Sequence, residues 1–339
     1  MGVAIGDLLP SSEITFEELE GNIIAMDAYN IIYQFLASIR QRDGQPLMDS
    51  EGRVTSHLSG ILYRNSNLLK EGIKPVYVFD GKPDIMKEGT LEKRKERKEK
   101  AKKEYKKALD EGDLKKARTK AQQTSRMSKD IEQGSKKLLR LMGIPCVQAP
   151  AEGESQGTYM VQQGDAWAVG SQDYDSLLLG APRVVRNLTI SGRRKLPGRN
   201  EYKNIVPEII YLDDVLEENE ISREQLVDIA ILCGTDYNEG IKGIGPKRGL
   251  KKVKKFGDID TVLEEIDEDI NNLDVIKKLF LEPNVKKDYE FEFKDPDVDG
   301  IKEFLCKERD FSESRVMSAV EKIVEGRDKE KQTSLSSFT

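Results

Sequence analysis

Three short apolar runs in this chain close on a carboxylate: residues 21–27 end at Asp27, 75–80 at Asp80 and 166–173 at Asp173. Each has the length and apolar density of a strand buried on both faces. Between them, apolar positions return at helical spacing over 28–39, 58–69 and 128–141, with Gly143 placed to cap the last of these. Residues 145–150, 183–188 and 209–211 read as further strands, Glu152 opens another helix, and short helices follow from 212 onward. Residues 44–52 form a polar, Gly-rich loop. Strands alternating with helices predict a doubly wound α/β fold, its sheet mainly parallel, with helices on both faces.

That architecture gives the strand-terminal acids a meaning. In open α/β sheets ligands sit outside the carboxyl ends of the strands, so Asp27, Asp80 and Asp173 converge on one crevice. Glu152-Gly-Glu154 and Asp173-Tyr-Asp175 add two acid-x-acid pairs. A spacing of two puts the members on opposite sides of a helix, but in a strand-to-helix turn both can face one crevice. Each pair alone also suits an ordinary helix start, where the macrodipole favours acids. Two pairs beside two strand-terminal Asp residues favour metal binding, because such crowding needs a cation to relieve it. An all-oxygen donor set selects Mg²⁺ or Mn²⁺. Two such ions about 4 Å apart form the clamp used for in-line displacement at phosphorus, lowering the pKa of a water and neutralising phosphoryl oxygens.

Composition narrows the substrate. The 339 residues carry a formal charge of −6, yet 91–129 holds 16 Lys or Arg against 7 Asp or Glu, which leaves +9 there and −15 elsewhere. Acids gathered in one place and basic surfaces in another fit an enzyme acting on a polyanion. Cys146, Cys233 and Cys306 are scattered without metal-ligand spacing, as in a reduced intracellular protein. No signal peptide or membrane-spanning run is evident, and nothing marks an oligomer, so a monomer is expected. His57 is the only histidine, which removes most of the case for Ser-His or Cys-His catalysis.

Two basic regions stand out. In Gly240-Ile-Lys-Gly243-Ile-Gly245-Pro-Lys-Arg248, Gly-hydrophobe-Gly before a Pro makes a tight hairpin between helices. Its backbone N–H groups then face a phosphate at a helix N-terminus. Lys242, Lys247, Arg248, Lys251 and Lys252 surround it with no acid between them; the alternatives are a solvated basic helix or a sequence-independent grip on a DNA backbone. Upstream, Asp236 either caps the turn after 226–233 or supplies a seventh acid to the crevice. The segment 91–129 reads as a solvated charged helix, broken at Gly112, or as an arch that DNA threads; no apolar heptad supports a coiled coil. Lys87 and Arg94, seven apart, share one face of a helix starting just after Asp80, where cations would steer a phosphodiester. Gln332-Thr-Ser-Leu335-Ser-Ser-Phe338 spaces two apolar anchors in an otherwise polar tail, the pattern of a peptide that docks into a groove.

Together these residues resemble the XPG family of structure-specific 5′ nucleases, in its flap endonuclease branch. The likeness runs through Gly2-Val-Ala-Ile-Gly-Asp-Leu-Leu, Met26-Asp27-Ala, Phe79-Asp80-Gly-Lys-Pro83, Ala149-Pro-Ala-Glu152-Gly-Glu154, Ser171-Gln-Asp173-Tyr-Asp175, and Gly234-Thr-Asp236-Tyr through Gly243-Ile-Gly-Pro-Lys247, in order. The resemblance implies seven metal-binding acids, Asp27, Asp80, Glu152, Glu154, Asp173, Asp175 and Asp236, holding two Mg²⁺ for which Mn²⁺ can substitute. It makes Lys87 and Arg94 the cations on the scissile phosphate and Tyr33 the aromatic that stacks beside the cut. Residues 45–54 would border a 3′-flap pocket. It implies Lys242, Gly243, Gly245, Lys247, Arg248, Lys251 and Lys252 as the DNA-binding hairpin, with a K⁺ held by carbonyls near Ile241 and Ile244; Gly240 stands where some relatives add a Ser hydroxyl. Gln332, Leu335 and Phe338 resemble a sliding-clamp (PCNA) binding peptide, with Thr339 where a second aromatic belongs. The implied organisation is nuclease parts at 1–90 and 130–235, an arch at 91–129, a helix–hairpin–helix and C-terminal helices at 236–325, and a flexible tail at 326–339. The implied activity is Mg²⁺-dependent cleavage of 5′-flapped or branched DNA in Okazaki-fragment maturation and repair, with 5′–3′ exonuclease activity. A non-catalytic junction scaffold is the alternative, and it would be expected to lack some of the acids.

Overall fold

The computed structural model describes residues 3–82, 88–122, 124, 127–190, 193–195 and 202–336. In chain order they form β1 (Ser12–Glu13), β2 (Ile23–Asp27), α1 (Ala28–Ser38), α2 (Ser56–Lys70) and β3 (Lys74–Phe79). Next come α3 (Glu88–Asp110), α4 (Leu114–Gln122), α5 (Lys129–Leu141), β4 (Cys146–Gln148), α6 (Gly153–Gln162), β5 (Ala168–Gly170), α7 (Asp175–Leu178) and β6 (Arg183–Arg186). A hairpin of β7 (Arg193–Lys195) and β8 (Tyr202–Asn204) precedes β9 (Glu208–Tyr211). The helices α8 (Leu212–Asn219), α9 (Arg223–Cys233), α10 (Pro246–Phe256), α11 (Ile259–Ile266), α12 (Leu273–Leu281) and α13 (Val298–Lys302) follow, and α14 (Glu313–Ser336) is the last.

The sheet has the order β1-β9-β6-β5-β2-β3-β4. Strands β2 to β6 run parallel, while β9 and β1 add antiparallel pairs at one side. The chain moves outward from β2 through β3 to β4, then returns to the other flank of β2 as β5. The order therefore reverses between β2 and β5, the position where such sheets open a ligand crevice.

Period-two alternation sorts each strand between two cores. Ala25, Val76 and Val78 enter one cluster with Leu177, Ile229, Leu232 and Val253; Ile24, Met26, Tyr77 and Phe79 enter the other with Ile32, Phe35, Leu62, Leu138 and Ile323. Helices thus cover both faces, as the strand–helix alternation predicts. The two-residue β1 and the β7–β8 hairpin are additions, too short to display a period.

Two expectations are corrected. The charged helices α3 and α4 are not polar all round: Ala101, Ala108, Ala117 and Ala121 are buried, and Lys120 pairs with Glu104. Small side chains at heptad and i, i+4 spacing let two such helices close on one another. The tail expected to be flexible from 326 is helical through Ser336. Gly326 permits this: a Cβ there would stand 2.0 Å from the Leu69 carbonyl oxygen of α2. Ion pairs of Glu330 with Lys74 and of Lys331 with Asp295 fasten the same stretch.

Candidate active site

Three local structures bring the acids to the crevice. Asp27 ends β2 and caps α1, accepting the backbone N–H of Asn30 at 3.1 Å. Asp80 follows β3 and accepts the Gly153 N–H at 2.8 Å. A Cβ at 153 would lie 2.9 Å from both that carboxylate and the Val78 carbonyl, so the glycine allows α6 to start against the end of β3. Glu152 occupies the cap position of α6 and Glu154 its first turn. Asp173 follows β5, and Asp175 opens α7.

Neighbours orient these carboxylates. Asn30 Nδ2 donates to Asp173 Oδ2 at 2.8 Å, Ser171 Oγ to Glu154 Oε1 at 2.7 Å, the Val3 N–H to Asp175 Oδ1 at 2.9 Å, and the Tyr237 hydroxyl to Glu152 Oε1 at 2.6 Å. Sequence reasoning missed all four partners. Only Asn30 left a signal, because the third position of a helix capped by Asp27 faces the crevice by geometry.

The electrostatics show the acids sharing one field. Asp27 is pushed up to about 8, first by burial and then by the charges of Asp80 and Asp173. Glu154 is raised well above the usual carboxylate range by burial, then by Asp175, Asp27 and Asp173. Five of the seven predicted acids are therefore mutually repelling neighbours. Glu152 joins them through the start of α6. Asp236 lies in the loop 234–240, whose Tyr237 reaches Glu152; Thr235 and Asn238 fasten that loop, with the Thr235 hydroxyl 2.8 Å from Asn238 Oδ1. Among the described residues no three carboxylates already stand close enough to grip a single ion. A magnesium ion keeps several waters and needs only one or two carboxylates, so the donor set fits hard divalent ions held mostly at one remove.

Around the crevice the predicted cations and aromatics are less complete. Lys87 and Phe338 lie outside the described residues; Arg94 is in α3, and Gln332 and Leu335 are in α14, but their side chains are outside them too. Of the helix expected just after Asp80, the part from Glu88 lies among the described residues, as α3. Tyr33 sits against α3 and the segment before α5, its hydroxyl accepting the Met127 N–H at 3.3 Å and its ring 5.1 Å from Lys98 Nζ. His57 is buried, its pKa lowered to about 4 by burial, with neither ring nitrogen hydrogen-bonded among the described residues. It is a core residue.

The hairpin forms as the glycine spacing requires. Gly243 has φ 86°, and Gly245 caps α10 with Pro246 at its first position, so the cap residue itself brings no side-chain acceptor to the first-turn N–H groups. Lys242, Lys247 and Lys251 are exposed and Lys252 half-buried. Arg248 is exposed, yet its guanidinium donates back to the Gly243 carbonyl at 2.9 Å and so braces the turn. Gly240 has φ 72°, and a Cβ there would stand 2.4 Å from the Gly234 nitrogen. Backbone presses on backbone at this point, so position 240 offers no room for a hydroxyl-bearing side chain.

The sequence and the fold resemble those of known proteins. The XPG N-terminal domain matches residues 7–101 and the XPG I-region residues 143–236. Flap endonuclease 1 of Pyrococcus abyssi is 53% identical over 100% of this chain and 98% of its own length. Flap endonuclease 1 of Pyrococcus furiosus is 52% identical over 100% of this chain and 99% of its own. Among solved structures, flap endonuclease-1 from Methanococcus jannaschii superposes with a TM-score of 0.76 at 44% identity, covering 97% of this chain and 100% of that one. The catalytic core of Rad2 in complex with DNA shares the fold, with a TM-score of 0.71 at 22% identity, covering 95% of this chain and 100% of that one.

Proposed function

The chain belongs to the flap endonuclease 1 branch of the XPG family, and on that footing we propose that it hydrolyses a phosphodiester near the single-strand/double-strand junction of 5′-flapped DNA. The observation carrying this reading is the shared field of Asp27, Asp80, Glu154, Asp173 and Asp175 at the β2–β5 switch point. The site residues would be Asp27, Asp80, Glu152, Glu154, Asp173, Asp175 and Asp236, holding two Mg²⁺ or Mn²⁺. Bound there, the ions supply a water of lowered pKa and neutralise charge on the phosphoryl oxygens. The chain's own groups do the rest. Asn30, Ser171, the Val3 N–H and Tyr237 fix the carboxylates by hydrogen bonds. Lys87 and Arg94 draw the phosphate in, and Tyr33 stacks beside the cut. The hairpin N–H groups with Lys242, Lys247, Arg248, Lys251 and Lys252 hold the duplex backbone without reading bases, aided by a K⁺ on carbonyls near Ile241 and Ile244.

The product would be a 5′-phosphate at a ligatable nick, suited to Okazaki-fragment maturation and repair, with 5′–3′ exonuclease activity as a related reaction. Residues 91–129 would form the arch for a free 5′ end, and Gln332, Leu335 and Phe338 would dock a sliding clamp. The protein would work as a monomer in the cytoplasm or nucleoid. The test compares double-flap substrates carrying free or blocked 5′ ends with bubble substrates, in Mg²⁺. Cleavage confined to the junction of free-ended flaps supports the reading. Equal cleavage of bubbles places the chain with repair endonucleases, and tight junction binding without cleavage makes it a scaffold.

A further inference from the structure

The loop 234–240 joins two parts of the molecule that the flap reading keeps separate. It leaves the end of α9 at Gly234, carries Asp236 and Tyr237, and enters the hairpin at Ile241. The loop is rigid by construction. Gly234 and Gly240 both adopt positive φ, 100° and 72°, with their backbones in contact. The Ile241 N–H donates to the Leu232 carbonyl at 2.8 Å, and Asn238 Nδ2 donates to the Ile231 carbonyl at 2.8 Å. Tyr237 projects from this loop into the active-site crevice. Its ring meets Phe280 of α12 edge-on at 5.5 Å, and its hydroxyl donates to Glu152 Oε1, 85 residues away in sequence.

From this geometry we infer that Tyr237 is a positioning residue that fixes Glu152 and mechanically ties it to the DNA-gripping hairpin. The inference rests on the flap-nuclease reading of Glu152 as a metal-binding acid. Glu152 sits at a helix cap, where a carboxylate has several accessible rotamers. One strong hydrogen bond on Oε1 selects among them, as outer hydrogen bonds orient metal ligands elsewhere. The bond comes from a loop continuous with the hairpin, so a shift of the hairpin on duplex DNA moves the phenol and with it the carboxylate. DNA occupancy and divalent-ion affinity are then linked, and the linkage is reciprocal.

The test titrates Mn²⁺ by calorimetry into the full chain, with and without a flap whose scissile linkage is non-hydrolysable. Wild type, Tyr237→Phe and Phe280→Leu are compared. For Y237F the Mn²⁺ dissociation constant rises about tenfold, the flap's strengthening of Mn²⁺ binding shrinks, and flap affinity in chelator stays at the wild-type value while flap affinity at saturating divalent ion falls by the lost coupling factor. F280L disturbs only the ring packing: it melts at lower temperature but binds Mn²⁺ as wild type does. A Y237F that binds Mn²⁺ like wild type, or an F280L that reproduces the Y237F defect, overturns the inference. Wild-type chain carrying [¹³Cζ]tyrosine gives an independent readout without substitution. Mg²⁺ should shift the Tyr237 signal, and an unmoved signal also overturns it. If wild type itself binds no divalent ion, the nuclease reading falls first and the linkage with it.

Discussion

Replacing Asp27 with Asn should stabilise the metal-free protein while abolishing cleavage. The fold holds the Asp27 carboxyl protonated up to about pH 8, through burial and the charges of Asp80 and Asp173, against a usual value of 3.8. In the unfolded chain the same carboxyl ionises near its usual value. Between those two values the folded state binds more protons than the unfolded one, so stability falls as pH rises through the window. Asn has no proton to lose. The stability gap in favour of D27N therefore opens from nothing near pH 4 and reaches full size near pH 8; at pH 7 it is on the order of 4 kcal/mol. The cap on α1 survives, because Asn serves that position as well as Asp and its oxygen can still accept the Asn30 N–H. The assay is thermal unfolding in chelator at pH 4.5, 6 and 8, where the gap should appear as a melting-temperature rise of about 5 °C at the highest pH. A D27N no more stable than wild type at pH 8, or a gap indifferent to pH, refutes the reasoning.

Three further outcomes follow from the same geometry. The double variant D173A/D175A should lose flap cleavage in Mg²⁺ while retaining wild-type flap affinity in chelator, measured by fluorescence anisotropy. The triple variant K242A/K247A/K251A should weaken flap binding and reduce the slope of log affinity against log salt by about 0.9 for each phosphate it no longer neutralises, with the single-turnover rate on saturating flap little changed. Gly240→Ala meets both a positive φ and the Gly234 backbone, so it should destabilise the chain by on the order of 3 kcal/mol in denaturant unfolding.

How much of this could be read from the residues depends on the range of the interaction. Asp27, Asp80 and Asp173 were legible because each ends an apolar run, and strand period plus crevice placement are local and topological rules. Gly243 was legible because the turn needs its positive φ, and Gly245 because it stands just before Pro246 at the start of α10. Features set by residues distant in the chain were not. Tyr237 carries no periodic signal, and its link to Glu152 spans 85 residues. The helical course of α14 past Gly326 depends on the missing side chain meeting Leu69 of α2, and a polar, Ser-rich composition conceals that fit. The alanine seam of α3 and α4 was hidden by the surrounding charge, since small residues bury little area each. The two short strands Arg193–Lys195 and Tyr202–Asn204 hold too few residues to show alternation.

Divalent ions seated among the clustered carboxylates are the hinge of this account, and anomalous diffraction from crystals grown with Mn²⁺ and cleaved flap product locates them directly. Two peaks about 4 Å apart, bounded by Asp27, Asp80, Glu152, Glu154, Asp173 and Asp175 and facing the product's terminal phosphate, are the expected result. Ordered product with no manganese between those side chains, or manganese bound only elsewhere on the surface, would contradict it.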